Sequence, residues 1–233
     1  MKLGQLTDIL LSLIFPLRCV TCTERIKNGA LCNNCQSKII IREGFTCPIC
    51  RRRSKDPYFS CHKANFLLLT STSFNQKEIQ DLVHTLKYRN LKSSAEEMAN
   101  IMSEKFKEYL VPLLNPEKTF LVPTPLHPQR LRERGFNQSE LLTFKIAEKL
   151  GSEWQINKIL KRIKNNKSQT ECKNKKERAD NVQGIFEVSE NLKNYDVIII
   201  DDVYTSGATT QEIVKTLKAA GAGRIIALIF AEA

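Results

Sequence analysis

No stretch of this 233-residue chain reaches the roughly 18 consecutive apolar residues that a membrane helix needs. Aromatic residues are scarce, at 7%, and show no stacking series, so a base-stacking platform for nucleic acid is not indicated. Histidine is nearly absent: His62, His84 and His127 stand apart, and none sits in a pattern expected of a general base. Acids are in deficit, 25 against 36 Lys and Arg, which leaves a formal charge of +11. Such a surplus favours polyanions without choosing among nucleotides, nucleic acid and acidic surfaces. The apolar run 6–17 lacks a basic flank and a small-residue cleavage pattern, so it reads as a short amphipathic helix ending near Pro16, not a leader. The expectation is a cytoplasmic chain, in which paired cysteines bind metal instead of forming disulfides.

What is present begins with cysteine. Seven of the eight cysteines lie between positions 19 and 61. Cys19-x₂-Cys22 and Cys32-x₂-Cys35 are two knuckles whose four thiolates complete a tetrahedral Zn²⁺ shell. Cys47, Cys50 and Cys61 offer three sulfurs for a second zinc, with His62 the nearest fourth ligand. Three arrangements stay open: a Cys₃His site, a site short of a ligand, or ligands shared across the pairs. A redox role for Cys47 and Cys50 lacks the surrounding βαβ pattern. The segment has little core of its own, so metal would supply its folding energy, and closed four-ligand sites are structural. Cys172 reads as an unpaired surface thiol. The length suits this module over residues 1–64 and one α/β domain over 65–233.

The most informative segment is YDVIIIDDVYTSGATT, residues 195–210. Val197, Ile198, Ile199 and Ile200 run unbroken, as in a parallel strand buried on both faces. Asp201 and Asp202 fall where that strand should end. Thr205, Ser206, Gly207, Ala208 and Thr209 form a small hydroxyl-rich turn, and Ile213, Val214 and Leu217 mark a helix after it. A strand, a small-residue turn and a helix N-terminus make an anion site, where backbone N–H groups and the helix dipole both favour negative charge. The paired acids can accept hydrogen bonds from sugar hydroxyls or hold Mg²⁺ through oxygen. The bland alternative is an ordinary βα turn.

Between these lie a strand at Phe66–Leu69, helices over 76–88 and 93–110, and a short strand at Phe120–Val122. Pro123, Pro125 and Pro128 stiffen the turn that follows, with Arg130, Arg132 and Arg134 crowded behind it. Such a turn lies on the ligand-binding edge of a parallel sheet, where Arg130 and Arg134 suit a diphosphate; the alternative is a solvated basic loop. Residues 158–178 carry nine Lys or Arg against two Glu, and read as a mobile loop. Beside a diphosphate site this loop could serve as a lid, with Arg162 and Arg178 as further diphosphate or hinge candidates.

Segment 195–210 resembles the phosphoribosyl-diphosphate (PRPP) motif of type I phosphoribosyltransferases. The cysteine pairs, Leu86-Lys87-Tyr88, VPTPLHPQRLRERGFNQSELL, the run Arg162…Gln169…Arg178…Asn181…Gly184…Phe186, and IIIDDVYTSGATT together resemble the ComF family. That resemblance implies a phosphoribosyltransferase-like parallel sheet flanked by helices, preceded by the zinc module. It implies that Asp201 and Asp202 hold ribose and that Thr205 to Thr209 hold phosphate. It further implies PRPP with Mg²⁺ as ligand, and a place in DNA uptake during natural competence, with single-stranded DNA and helicase proteins as partners. Two functions follow: a PRPP-dependent glycosyltransferase, or a non-catalytic DNA-handling factor that uses the same fold as sensor or scaffold. Where many relatives carry a further cysteine, this chain has Ala64, which bears on the second zinc.

Overall fold

The computed structural model describes residues 16–57, 62, 64–89, 92–163 and 184–233. Residues 6–15 of the expected helix over 6–17, and Cys172, fall outside these residues, as does the greater part of the 158–178 segment. Among the described residues no helix is long and apolar enough to cross a membrane.

In chain order the elements are α1 (Asn33–Ser37), β1 (Phe45–Thr46), β2 (Arg53–Ser54), β3 (Leu67–Ser73), α2 (Lys77–Arg89) and α3 (Lys92–Tyr109). They continue with β4 (Thr119–Pro123), α4 (Pro128–Arg134), α5 (Gln138–Leu150), β5 (Gln155–Ile156) and β6 (Leu160–Arg162). The chain closes with β7 (Phe186–Val188), β8 (Asp196–Tyr204), α6 (Ala208–Ala219) and β9 (Ile225–Glu232). One seven-stranded sheet has the order β2-β1-β3-β9-β8-β4-β5. Pairing is parallel from β3 through β5, and β1 joins β3 antiparallel.

Strand β8 is central, and its side chains serve both faces. Ile198 and Ile200 join a core with Leu82 and Leu86 of α2, Met98 and Met102 of α3, and Leu142 and Ile146 of α5. Val197 and Ile199 join the opposite core, with Ile213, Val214 and Leu217 of α6. This two-sided burial is why the strand reads as an unbroken apolar run. From β4 the chain crosses through α5 to β5 at one edge. From β8 it crosses through α6 to β9 in the other direction. The gap between β4 and β8 is thus a switch point, where parallel sheets open a crevice for ligands.

Four elements differ from expectation. Strand β8 runs on through Asp201 and Asp202 to Tyr204, so the acids lie within it and not at its end, because β9 continues to pair with it up to Glu232. The basic turn is a helix: Pro128 opens α4, His127 Nδ1 accepts from Gln129 N at 3.2 Å, and Gly135 closes it with φ 76°. Its arginines are therefore displayed at helical spacing and not on a loop. The 158–178 segment does not begin as a loop, because β6 pairs with β7 and Ile163 N bonds Ile185 O at 2.8 Å. Strand β9 has no counterpart in the sequence reading; its eight residues are all buried.

The cysteine-rich segment is hydrogen-bonded into the sheet through β1, and Phe45 packs edge-on against Tyr109 of α3 at 5.7 Å. Its arginines converge on one acid. Glu232, at the end of β9 and almost wholly buried, lies 2.5 Å from Arg42, 3.3 Å from Arg51 and 3.8 Å from Arg53. It also accepts a hydrogen bond from Thr70 Oγ1 at 3.1 Å. A buried carboxylate is tolerated only when so paired.

Candidate functional site

The C-terminal ends of the parallel strands share one edge. Pro123 of β4 pairs in register with Ile200 of β8, so the residues after β4 flank Asp201 and Asp202 directly. Asn137 ties the two segments: its amide donates to Thr124 O at 3.0 Å, and its side-chain oxygen caps α5 by accepting from Ser139 N at 3.1 Å. That cap places Ser139, whose hydroxyl donates to Asp201 Oδ1 at 2.7 Å. From α2, Lys87 Nζ lies 2.5 Å from Asp202 Oδ2, a pair shielded from solvent on both sides. Sequence reasoning did not single out Lys87 or Ser139 as site residues. Their signal was faint: a lysine beside the apolar face of α2, and a serine at the start of a helix.

Burial, then the adjacent Asp202 carboxylate, push Asp201 up to about 7. The Ser139 hydroxyl, the Asp202 N–H and Lys87 oppose that rise. The folded chain therefore keeps a proton that the unfolded chain has released, and stability is lost as pH rises from about 4 to about 7. Asp201→Asn removes the penalty. We expect its Tm to exceed that of the parent by about 3–6 °C at pH 7.5 and to match it near pH 4. Thermal melts across pH check this, and an unchanged or lower Tm at pH 7.5 counts against the raised carboxyl.

After Tyr204 the chain turns through Thr205 and Ser206 to Gly207, which has φ 79° and caps α6. Gln211 N bonds Gly207 O at 2.9 Å as the first helical bond, and Ser206 Oγ accepts from Ala208 N at 3.4 Å. The first-turn N–H groups of a helix have no intrahelical acceptors, so they face outward at this edge. Thr205 to Thr209 thus follow the two acids past the end of β8. The Tyr204 ring lies beneath Gly207 and is almost wholly buried.

Arginines stand across the edge. Burial, then the positive charges of Arg162, Arg130 and Arg132, hold the His127 imidazole below its ordinary range. Burial and Arg130 likewise depress the Arg162 guanidinium. Arg130 of α4 and Arg162 of β6 come from separate elements yet lie near enough for one charge to act on the other, and the Arg162 guanidinium stands 5.9 Å from the centre of the Phe186 ring. Arg134 lies instead over the Tyr88 ring, 5.3 Å from its centre. Arg178 falls outside the described residues.

Two clusters could hold metal. The sulfurs of Cys19, Cys22, Cys32 and Cys35 all lie within 4.8 Å of one another. Cys22 and Cys32 Sγ are 3.6 Å apart. A tetrahedral zinc with ~2.3 Å bonds separates its sulfurs by about 3.8 Å, so the set fits. Burial alone would raise the Cys19 thiol, yet N–H groups of Cys22, Cys32 and Thr21 draw it down to about 6. The second cluster is Cys47, Cys50 and His62, with Cys47 Sγ 3.5 Å from His62 Nδ1. Zinc with one sulfur and one nitrogen ligand separates them by about 3.6 Å. His62 therefore turns toward the cysteines, and Cys61 falls outside the described residues. The two knuckles also match in backbone. Thr23 N bonds Cys19 O at 3.0 Å and Arg51 N bonds Cys47 O at 2.9 Å. Thr23 and Arg51 both have positive φ, 64° and 65°.

Residues 10–64 match the profile of the double zinc ribbon domain. The chain is 30% identical over 192 residues to competence protein ComFC of Bacillus subtilis, covering 77% of this chain and 74% of that one. The chain belongs to the ComF family. Competence protein F of Haemophilus influenzae is 28% identical over 228 residues, covering 91% of this ComF-family chain and 95% of the relative. The DNA utilization protein YhgH of Salmonella typhi is 26% identical, with coverage of 86% and 89%. A solved structure, that of TT1426 from Thermus thermophilus, covers 58% of this chain and 83% of its own, at 10% identity and a TM-score of 0.32. The family and its zinc ribbon are shown by the sequence matches. The zinc ribbon match and the cluster of Cys19, Cys22, Cys32 and Cys35 support a structural zinc.

Proposed function

We propose that this chain binds PRPP with Mg²⁺ at the β8–α6 edge and transfers its phosphoribosyl group to an acceptor, in the cytoplasm, during DNA uptake. One observation carries the reading. Two acids fixed by Ser139 and Lys87 stand beside the helix N-terminus that Gly207 opens, at a switch point of a parallel sheet. The acids suit the ribose hydroxyls, and the turn N–H groups suit the 5′-phosphate. Arg130 and Arg162 suit the diphosphate, whose departure with the C1–O electron pair they would stabilise. The acceptor's nucleophile would bond to C1 and give up its proton. Mg²⁺, when bound with PRPP, would offset diphosphate charge.

Calorimetric titration of PRPP with Mg²⁺ into the parent and into Asp201→Asn/Asp202→Asn tests this. We expect binding by the parent and a loss of at least ~100-fold in the double variant, as for a site stripped of its charged hydrogen-bond partners. Absence of binding heat in the parent removes the reading. The arginine cluster favours a second reading, in which the edge binds single-stranded DNA, with helicase proteins as neighbours. Affinity for an oligonucleotide that falls steeply with salt would favour it.

A further inference from the structure

The residue after Cys50 is an arginine, and it leaves the ribbon to reach the anion turn. Arg51 Nη2 donates to Thr205 O at 2.9 Å, across 154 positions of sequence. Its guanidinium lies 4.4 Å from the centre of the Tyr204 ring. Its Nη1 pairs with Glu232 at 3.3 Å. One side chain therefore grips the turn at its carbonyl, the ring beneath it, and the acid that ends the neighbouring strand.

The grip has a directional consequence. In a trans peptide the carbonyl and the following N–H point in opposite directions, and no peptide bond among the described residues is cis. Holding the Thr205 carbonyl toward Arg51 turns the Ser206 N–H to the other side, away from the ribbon. Tyr204, pressed between Arg51 and Gly207, holds the left-handed cap from below.

The origin of Arg51's own position is the knuckle. It has φ 65°, a conformation that costs an ordinary L-residue energy unless its surroundings impose it. The surroundings here are the turn closed by Arg51 N to Cys47 O and Cys47 N to Arg52 O, at 2.9 and 2.8 Å. A metal held by Cys47, Cys50 and His62 would brace that turn. The matching residue of the first knuckle is Thr23, whose side chain is too short for such a reach.

We infer that Arg51 is a positioning residue through which the second metal site sets the shape of the anion turn. Metal and anion then bind cooperatively at two separate sites. The inference rests on the PRPP reading above and adds to it a role for the ribbon. Linkage makes it reciprocal: if the metal shapes the turn, an anion in the turn must act back on the metal.

The test uses the full-length chain with Co²⁺ in place of Zn²⁺, titrated with PRPP and Mg²⁺. In the parent, PRPP should shift the cobalt absorption bands of the site containing His62. Arg51→Met should retain both metals, bind PRPP ~10–100-fold more weakly, and show no shift, reflecting the loss of a charged hydrogen bond. Arg51→Lys keeps the charge opposite Glu232 but lacks the planar fork. It should fold and recover part of both signals, at ~3–10-fold weaker binding. A parent that binds PRPP beside an Arg51→Met or Arg51→Lys chain of equal affinity overturns the coupling alone. A parent that binds neither PRPP nor inorganic diphosphate overturns the PRPP reading and the coupling with it.

Discussion

A Gly207→Ala chain should lose PRPP affinity by at least ~100-fold while keeping its zinc. Gly207 holds φ 79°, and a Cβ there would overlap Tyr204 Oη and stand 2.6 Å from Tyr204 Cζ. Neither neighbour can yield easily. Tyr204 is 1% exposed, closed above by the turn and alongside by the Arg51 guanidinium. The turn must therefore open, and the N–H groups it aims at the edge disperse with it. Tyr204→Phe does not rescue the variant, because removing the hydroxyl leaves the Cζ overlap. Calorimetry with PRPP, together with a zinc assay, checks the result. Binding within about threefold of the parent would show that the turn is not the phosphate cradle.

Stripping the metal should be the most destabilising change of all. Structural zinc in ribbon-like modules contributes on the order of 10–16 kcal/mol of apparent folding energy at neutral pH. The ribbon here is not an appendage whose loss leaves the remainder untouched. Cys19, Ala30, Leu31, Cys32, Cys35 and Phe45 belong to the same apolar core as α2, α3 and α5. When the ribbon unfolds, Phe45 leaves Tyr109 and β3 loses its antiparallel neighbour. Glu232 is also left buried without Arg42, Arg51 and Arg53. A buried acid deprived of its partners costs about 3–5 kcal/mol. We expect chelation, or Cys19→Ser with Cys35→Ser, to lower Tm by more than ~10 °C. A chain shown to be metal-free with an unchanged Tm would contradict a structural role for zinc.

The acid pair, the hydroxyl turn and the helix after it were legible because all three lie within nineteen consecutive residues, Asp201 to Ala219. The first zinc cluster was legible for the same reason: C-x₂-C spacing is a local instruction. Helix α4 was missed because three prolines in six residues read as a rigid turn, although Pro128 stands at the one helical position where proline is favoured. Strand β9 was missed although its apolar run 225–231 follows Gly221 and Gly223, because no site chemistry marked it and Glu232 at its end gains its partners only in the fold. The second cluster was read with Cys61 as ligand and His62 as the nearest fourth. The structure turns His62 toward Cys47, and sequence adjacency could not decide that rotation.

The sequence by itself determined the local chemistry: which residues could bind metal, where an anion could meet a helix N-terminus, and which strand lies buried on both faces. These follow from spacing and periodicity, which act over one or two turns of chain. Only the tertiary structure decided the partners of those groups. Lys87 reaches Asp202 from 115 positions away, Ser139 reaches Asp201 from 62, and Arg51 reaches Thr205 from 154. Such pairings depend on strand order and helix docking, which arise from burying two apolar faces of one sheet at once. No local pattern in the chain encodes that arrangement.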